Sequence, residues 1–308
     1  MRKKNLKVVA AFFKGYLTFL LALFALSLWA ICPQRLSAQT YLISTQSSHG
    51  GLFLGDNEQY SYQVLDKEFT RVTYKTFLSF EDSDEEGVED IFILQIGEKI
   101  SKFCSKIHYQ MDSIKINATG PVSFGSINGL HRIDPVLFYE CYYTDLPTRE
   151  LTFTNRLTQE DFKYNEAIPE IKWDVDYDST MVICGFECHK ATGVFRGRTY
   201  EAWFTESIPS TAGPWKLGGL PGAILLAGDT EHRCRFEAQS VEIRNDDILM
   251  AEYPYTKVSR KQYARLLQMR ILKPTTFNVA HGNKNPNMKM TASGPDEPQR
   301  MITILESE

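Results

Sequence analysis

Cysteine and histidine crowd together in "CGFECHK" (184–190), and a second pair follows in "HRC" (232–234). Cys184, Cys188, His189, His232 and Cys234 are residue types that bind zinc or copper, or exchange disulfides. On an extended strand, residues four apart leave the same face about 13 Å from each other. Cys184 and Cys188 therefore share a metal only if the chain bends, and Gly185 offers the bend. The competing expectation is structural: inert or disulfide-linked thiols. A cysteine nucleophile would draw on His131, His189 or His232 as its base, and nothing beyond residue type pairs them. "FRGR" (195–198) sets Arg196 and Arg198 at the spacing of one strand face. That is either a clamp for a carboxylate or phosphate, or charge balance. The chain has no Gly-x-Ser-x-Gly elbow and no His-Glu-x-x-His pair.

A third stretch, "GPWKLGGLPGAILLAGD" (213–229), mixes glycine, proline, one tryptophan and one lysine ahead of an apolar run. A phosphate loop needs spaced glycines ending in Gly-Lys-Ser/Thr, and here Lys216 precedes the glycines. A turn fits better. Pro221-Gly222 suits the centre of a type II turn, with Gly222 taking the positive φ. "AILLAGD" then continues as a buried strand. The segment is expected to be a re-entrant loop feeding the core, with Trp215, Lys216, Gly219, Leu220, Pro221 and Gly222 as candidate contacts for a ligand or partner. Trp173 and Trp203 are further candidates, and each fits a plain core position as well.

The elements that must hold these residues are mostly strands. The chain has 308 residues, 43% hydrophobic and 12% aromatic, enough for a packed core. In "TRVTYKTFLSF" (70–80), Val72, Tyr74, Thr76, Leu78 and Phe80 share one face. "DIFILQIG" (90–97), residues 98–106, "VLFYECYYTD" (136–145) and "ELTFTNRL" (150–157) read as further strands. Short strands around Gly185, Gly193 and Gly197 follow. The acidic run "EDSDEEGVED" (81–90) reads as a solvated loop, since it lacks the ligand spacing of a calcium site. One helix is clear, "SRKQYARLLQMRI" (259–271), with Ser259 as its cap and Pro274 as its stop. The fold class is mainly β: a curved antiparallel sheet or partly closed barrel with one or two covering helices, an α+β arrangement being the alternative. Residues 39–275 form the single domain, and 276–308 read as a polar, flexible tail.

Residues 1–38 look like an export signal. "MRKKNLK" is basic, an apolar stretch follows, and "LSA" precedes Gln39 as a small-residue cleavage site. That segment holds six basic residues and no acid; its removal leaves 28 Lys and Arg against 38 Asp and Glu, a net charge of −10. Such a balance excludes nucleic acid as a natural partner. Cleavage would leave no permanent membrane span. Five cysteines remain (104, 141, 184, 188 and 234), and an exported location permits disulfides whose pairing the spacing does not choose.

On "GLPGAI" (219–224) the chain resembles the GLPGLI family of exported bacterial proteins, with Ala223 in place of the second leucine. "FKYNEAIPEIKW" (162–173), "CHKATGVFRGRTYEAWFTESIP" (188–209) and "FILQIGEKISKF" (92–103) extend the likeness over residues 70–270. The resemblance implies an exported envelope protein, a mostly antiparallel β fold and no agreed catalytic residues or cofactor. Two functions compete: a non-enzymatic binding or assembly module that contacts an apolar ligand or another envelope protein, and a thiol- or metal-dependent protein built on Cys184, Cys188 and His189.

Overall fold

The computed structural model describes residues 61–117, 140–158 and 160–281. The leader (1–38), His131 and the chain after His281 lie outside the described residues.

Alternation decides the strands. In β1 (Tyr62–Phe80), Val72, Tyr74, Thr76 and Leu78 are all buried, as their spacing predicts. β2 (Ser83–Gly97) begins after a turn at Glu81–Asp82, so most of the acidic run expected as a loop is strand. Its ladder continues along β1 to Ser79, and Glu89 pairs with Lys75 at 2.7 Å. Ladder bonds to a long neighbour outweigh the poor strand propensity of Asp and Glu. β3 (Ile100–Ser105) runs straight into α1 (Lys106–Asn117). β4 (Cys141–Asp145), β5 (Glu150–Leu157) and β6 (Glu160–Ala167) continue the sheet.

β7 (Trp173–Ile183), β8 (Phe186–Phe195) and β9 (Arg198–Thr205) are joined by two tight turns. Cys184–Gly185 and Arg196–Gly197 each place two successive residues at positive φ, between 48° and 85°. That backbone matches the twist of a two-residue hairpin. Gly193, expected at a turn, sits inside β8, where a Cβ would strike the Trp173 ring at 2.8 Å. β10 (Ala223–Asp229), β11 (Cys234–Ile243), β12 (Asp247–Ala251) and the short β13 (Thr256–Lys257) complete the strands.

The strand order is β13-β6-β5-β4-β3-β2-β1-β11-β10-β9-β8-β7, with β12 paired to the start of β1. Every pairing is antiparallel except β13 with β6. The sheet is curved and not closed. β6 and β7 are consecutive in the chain yet lie toward opposite ends of the order. The buried face is filled by rings: Phe92 on Phe103 at 4.9 Å, Phe153 on Tyr164 at 4.6 Å, and Tyr142, Phe236 and Tyr200 among them. Side chains fill the buried face of the sheet.

α2 (Arg260–Leu272) is capped by Ser259 in a full capping box with Gln262, and Tyr263, Leu267 and Ile271 turn into the core. Pro274 does end it, but also opens α3 (Pro274–His281), whose Phe277 is fully buried. Helix α3 thus extends six residues into the segment expected as a flexible tail. No helix among the described residues is long and apolar enough to cross a membrane.

Candidate functional site

Two buried polar clusters occupy the two faces of the sheet. The first is the re-entrant loop, residues 206–222, which stands between the sheet's two ends. Its backbone is held by its own carbonyls: Leu217 donates to Pro214, Gly219 to Thr211, Ala223 to Ile208 and Ile224 to Ala212. Those amides are spent within the protein, so the segment is not a phosphate cradle. Only Gly219 and Trp215 have positive φ, at 90° and 53°. Gly222 does not, which corrects the expected type II turn. Its glycine answers to space instead, because a Cβ there would run into the Thr205 carbonyl oxygen.

The loop drives two side chains inward. Trp215 packs on Phe195 at 5.6 Å and Tyr200 at 6.4 Å. Its indole N–H is buried with no hydrogen-bond partner. Lys216 has a fully buried side chain. It donates to Tyr164 Oη at 3.1 Å and to Glu166, with its Nζ over the Tyr142 and Tyr164 rings. Glu166 also accepts Arg196 at 3.0 Å and faces Arg260 Nε at 3.7 Å. One carboxylate on β6 thus gathers cations from the loop, the β8–β9 turn and α2. Trp173 closes the arrangement by donating from Nε1 to the Gly218 carbonyl at 2.9 Å. Side chains therefore bridge the gap that no backbone ladder crosses.

The candidate contacts divide sharply. Trp215, Lys216, Leu220 and Gly222 are buried, whereas Gly219 and Pro221 are exposed. The exposed edge of the loop walls two adjoining clefts. One, of about 430 Å³, is lined by Ile168–Lys172, Thr211–Gly213 and Trp215–Gly219. The other, of about 1100 Å³, is lined by Val64–Phe69, Pro209–Thr211, Pro221 and Arg244. Leu146 and Thr211 line both.

The second cluster lies on the other face, beneath α1, and spacing alone did not reveal it. Lys102 is fully buried and donates to Asp112 at 3.3 Å and to the Leu249 carbonyl at 2.9 Å. His108 Nε2 meets the same Asp112 at 3.3 Å, and Tyr62 Oη reaches it at 3.5 Å. Burial alone would lower the Lys102 ammonium's pKa; the Asp112 carboxylate and the neighbouring thiols raise it above its ordinary value. Cys104 and Cys141 complete the group. A hydrogen bond from Cys141 lowers Cys104 against its burial, with help from Lys102 and His108, while burial pushes Cys141 up. The signal available in sequence was "KFCSKIH" (102–108), one strand-to-helix junction carrying Lys, Cys and His.

The thiol and arginine motifs are separated by the fold. Cys184 occupies the β7–β8 turn and is exposed, with its Sγ on the Ala238 carbonyl at 3.4 Å. The bend at Gly185 exists, but it leaves Cys188 buried on β8 and His189 on the opposite face, bonded through Nδ1 to the Tyr177 carbonyl. His232 lies in the β10–β11 turn and Cys234 begins β11, three places along the sheet from β8. Among the described residues, no three of His, Cys, Asp and Glu converge to hold a metal. All five described cysteines are free thiols, so the expected disulfides are not formed in this structure. Arg196 lies in a turn and pairs with Glu166, and Arg198 pairs with Asp229 at 3.3 Å. They form no shared clamp.

A family model described as a protein of unknown function (Porph_ging) matches residues 152–226, from β5 into β10. The match covers the loop and its Glu166 anchor; it does not carry the GLPGLI name. No curated protein matches the chain. Two crystal structures of PNGF-II, in space groups C2 and P21, are similar at 16% identity, with TM-scores of 0.47 and 0.45. The similarity covers 65% of this chain and 32% and 33% of those. The chain thus spans about a third of their length, and likeness at that level transfers neither fold nor function.

Proposed function

We propose that the protein is an exported, non-enzymatic binding module that holds a side chain or short extended segment of another envelope protein in the clefts beside the 206–222 loop. The observation that carries this reading is the division within the loop. Trp215 and Lys216 fix it from inside, and Thr211, Gly219 and Pro221 present its outer edge to two adjoining clefts. A rigid loop over a preformed cleft of a few hundred Å³ is the usual form of a recognition site. The lining favours a peptide. Ile168, Pro169, Ile171 and Leu217 are apolar, and among the charges around them Arg149 pairs with Glu170 and Lys67 with Asp247.

The test is a titration of the full chain with a panel of apolar pentapeptides, followed by backbone and indole NMR. Shifts gathered on Thr211, Gly218, Gly219 and the Trp215 indole are expected, and Thr211→Arg should abolish them by filling both clefts. Shifts scattered over the surface, or turnover of a peptide or glycan in the same samples, would sink the proposal.

A further inference from the structure

The thiols of the second cluster are placed for chemistry that the loop site does not involve. Cys104 on β3 and Cys141 on β4 are register partners in an antiparallel pair, so both side chains leave one face directly opposite each other. Cross-strand partners have Cα atoms about 4.5–5.5 Å apart, inside the range of about 4.4–6.8 Å that a disulfide spans. The two thiols are hydrogen-bonded to each other and packed under Leu65, Tyr109 and Met250. No other described thiol has a cysteine as its register partner: Cys188 lies opposite Met181, Cys234 lies opposite Leu78, and Cys184, in the turn, acts on Cys188 only through its charge.

We propose that Cys104 and Cys141 are the protein's oxidisable pair, joined as a cross-strand disulfide by exchange with a protein disulfide in the compartment that receives the chain. The Cys104 thiolate attacks one sulfur of the donor and expels the other as a thiolate, leaving a mixed disulfide. Cys141 loses its proton, attacks Cys104 Sγ and expels the remaining donor sulfur. One S–S bond forms and one breaks. Two electrons pass to the donor, and the two protons released by the pair end on its thiols. Lys102 and His108 stand beside Cys104 and stabilise its charge, which selects it as the attacking thiol. α1 follows β3 without a linker and buries Ile107, His108 and Met111, so exchange happens before α1 docks or while it is lifted. Once formed, the bond lies sealed under the helix. It closes a loop of 36 intervening residues, which restrains the unfolded chain.

The oxidising compartment rests on the export reading, and the pairing does not. The full chain is therefore refolded in a glutathione buffer of secretory poise, alkylated, digested and mapped by mass spectrometry. The expected product links Cys104 to Cys141 and leaves Cys184, Cys188 and Cys234 alkylated. Reduction should lower Tm by about 10 °C, and a Cys104→Ser/Cys141→Ser chain should show no such shift. Free thiols at both positions, or either one joined to another cysteine, overturns the proposal without needing any variant to fold. The linkage formed in the tube but absent from protein isolated from cells upholds the pair and defeats the export reading instead.

Discussion

Two lysines, one on each face of the same sheet, are buried among tyrosine rings and each pairs with a carboxylate. Lys216 shares Glu166 with Arg196 and Arg260, so three cations from three elements surround one acid. Lys102 has Asp112, which also meets His108 and the Tyr62 hydroxyl. The difference is one of redundancy. Glu166 acts as a knot that draws the open ends of the sheet together, and it stays neutralised if one cation leaves. Asp112 fastens a helix to a sheet face, with the Lys102 ammonium as its buried lysine partner.

The largest effect should therefore come from Lys102→Met. It removes the buried ammonium from Asp112, and breaking a buried pair in this way costs about 3–5 kcal/mol. Lys216→Met should cost about 1–2 kcal/mol, since Arg196 remains at 3.0 Å from Glu166. Urea denaturation of both variants checks the order. Lys102→Met/Asp112→Asn should recover most of the loss, and equal losses for the two lysines would break the contrast.

Within the loop the comparison sharpens to two glycines. Gly222→Ala presses a methyl group against the Thr205 carbonyl and should destabilise by about 3 kcal/mol. Gly219→Ala meets open space and carries only the strain of φ 90°, about 1 kcal/mol. Thermal unfolding of the pair separates close approach from backbone strain. Gly219→Ala as the worse variant would mean that the turn geometry, not the packing against β9, fixes the corner.

The loop was legible in sequence because its parts are contiguous. Proline, glycine and an apolar run within 17 residues announce a bend that feeds a strand, and "AILLAGD" is β10. Even so, the reason for Gly222 was invisible, since Thr205 approaches it only in three dimensions. Alternation likewise exposed β1, β5 and β9, whose buried residues recur every second position. The second cluster was hidden by its assembly. Tyr62, Lys102, Asp112, Cys141 and Leu249 come from five separate segments, and only the pairing of β3 with β4 and of β12 with β1 gathers them. The conspicuous "CGFECHK" misled for the opposite reason. Its residues are neighbours in the chain, and a two-residue turn followed by strand alternation leaves Cys184 exposed, buries Cys188 and turns His189 to the opposite face.

Thiol reactivity tests that last point with the smallest energies. Cys184 is exposed and should be the first described cysteine alkylated by iodoacetamide in the native protein at pH 8. Burial pushes Cys188 up to about 11 and Cys234 up to about 12 from an ordinary 9.0, so both should react slowly until the chain opens. These raised values favour the neutral thiol in the folded state. The stability they contribute is complete below pH 9 and disappears as pH climbs through 11–12, because the unfolded chain ionises first. Alkylation rates should accordingly rise for Cys188 and Cys234 together with the loss of structure, as read by circular dichroism, whereas the rate for Cys184 should climb ahead of it. If Cys188 reacts as fast as Cys184 at pH 8, the β7–β8 hairpin does not separate the two thiols, and they return as a candidate redox pair.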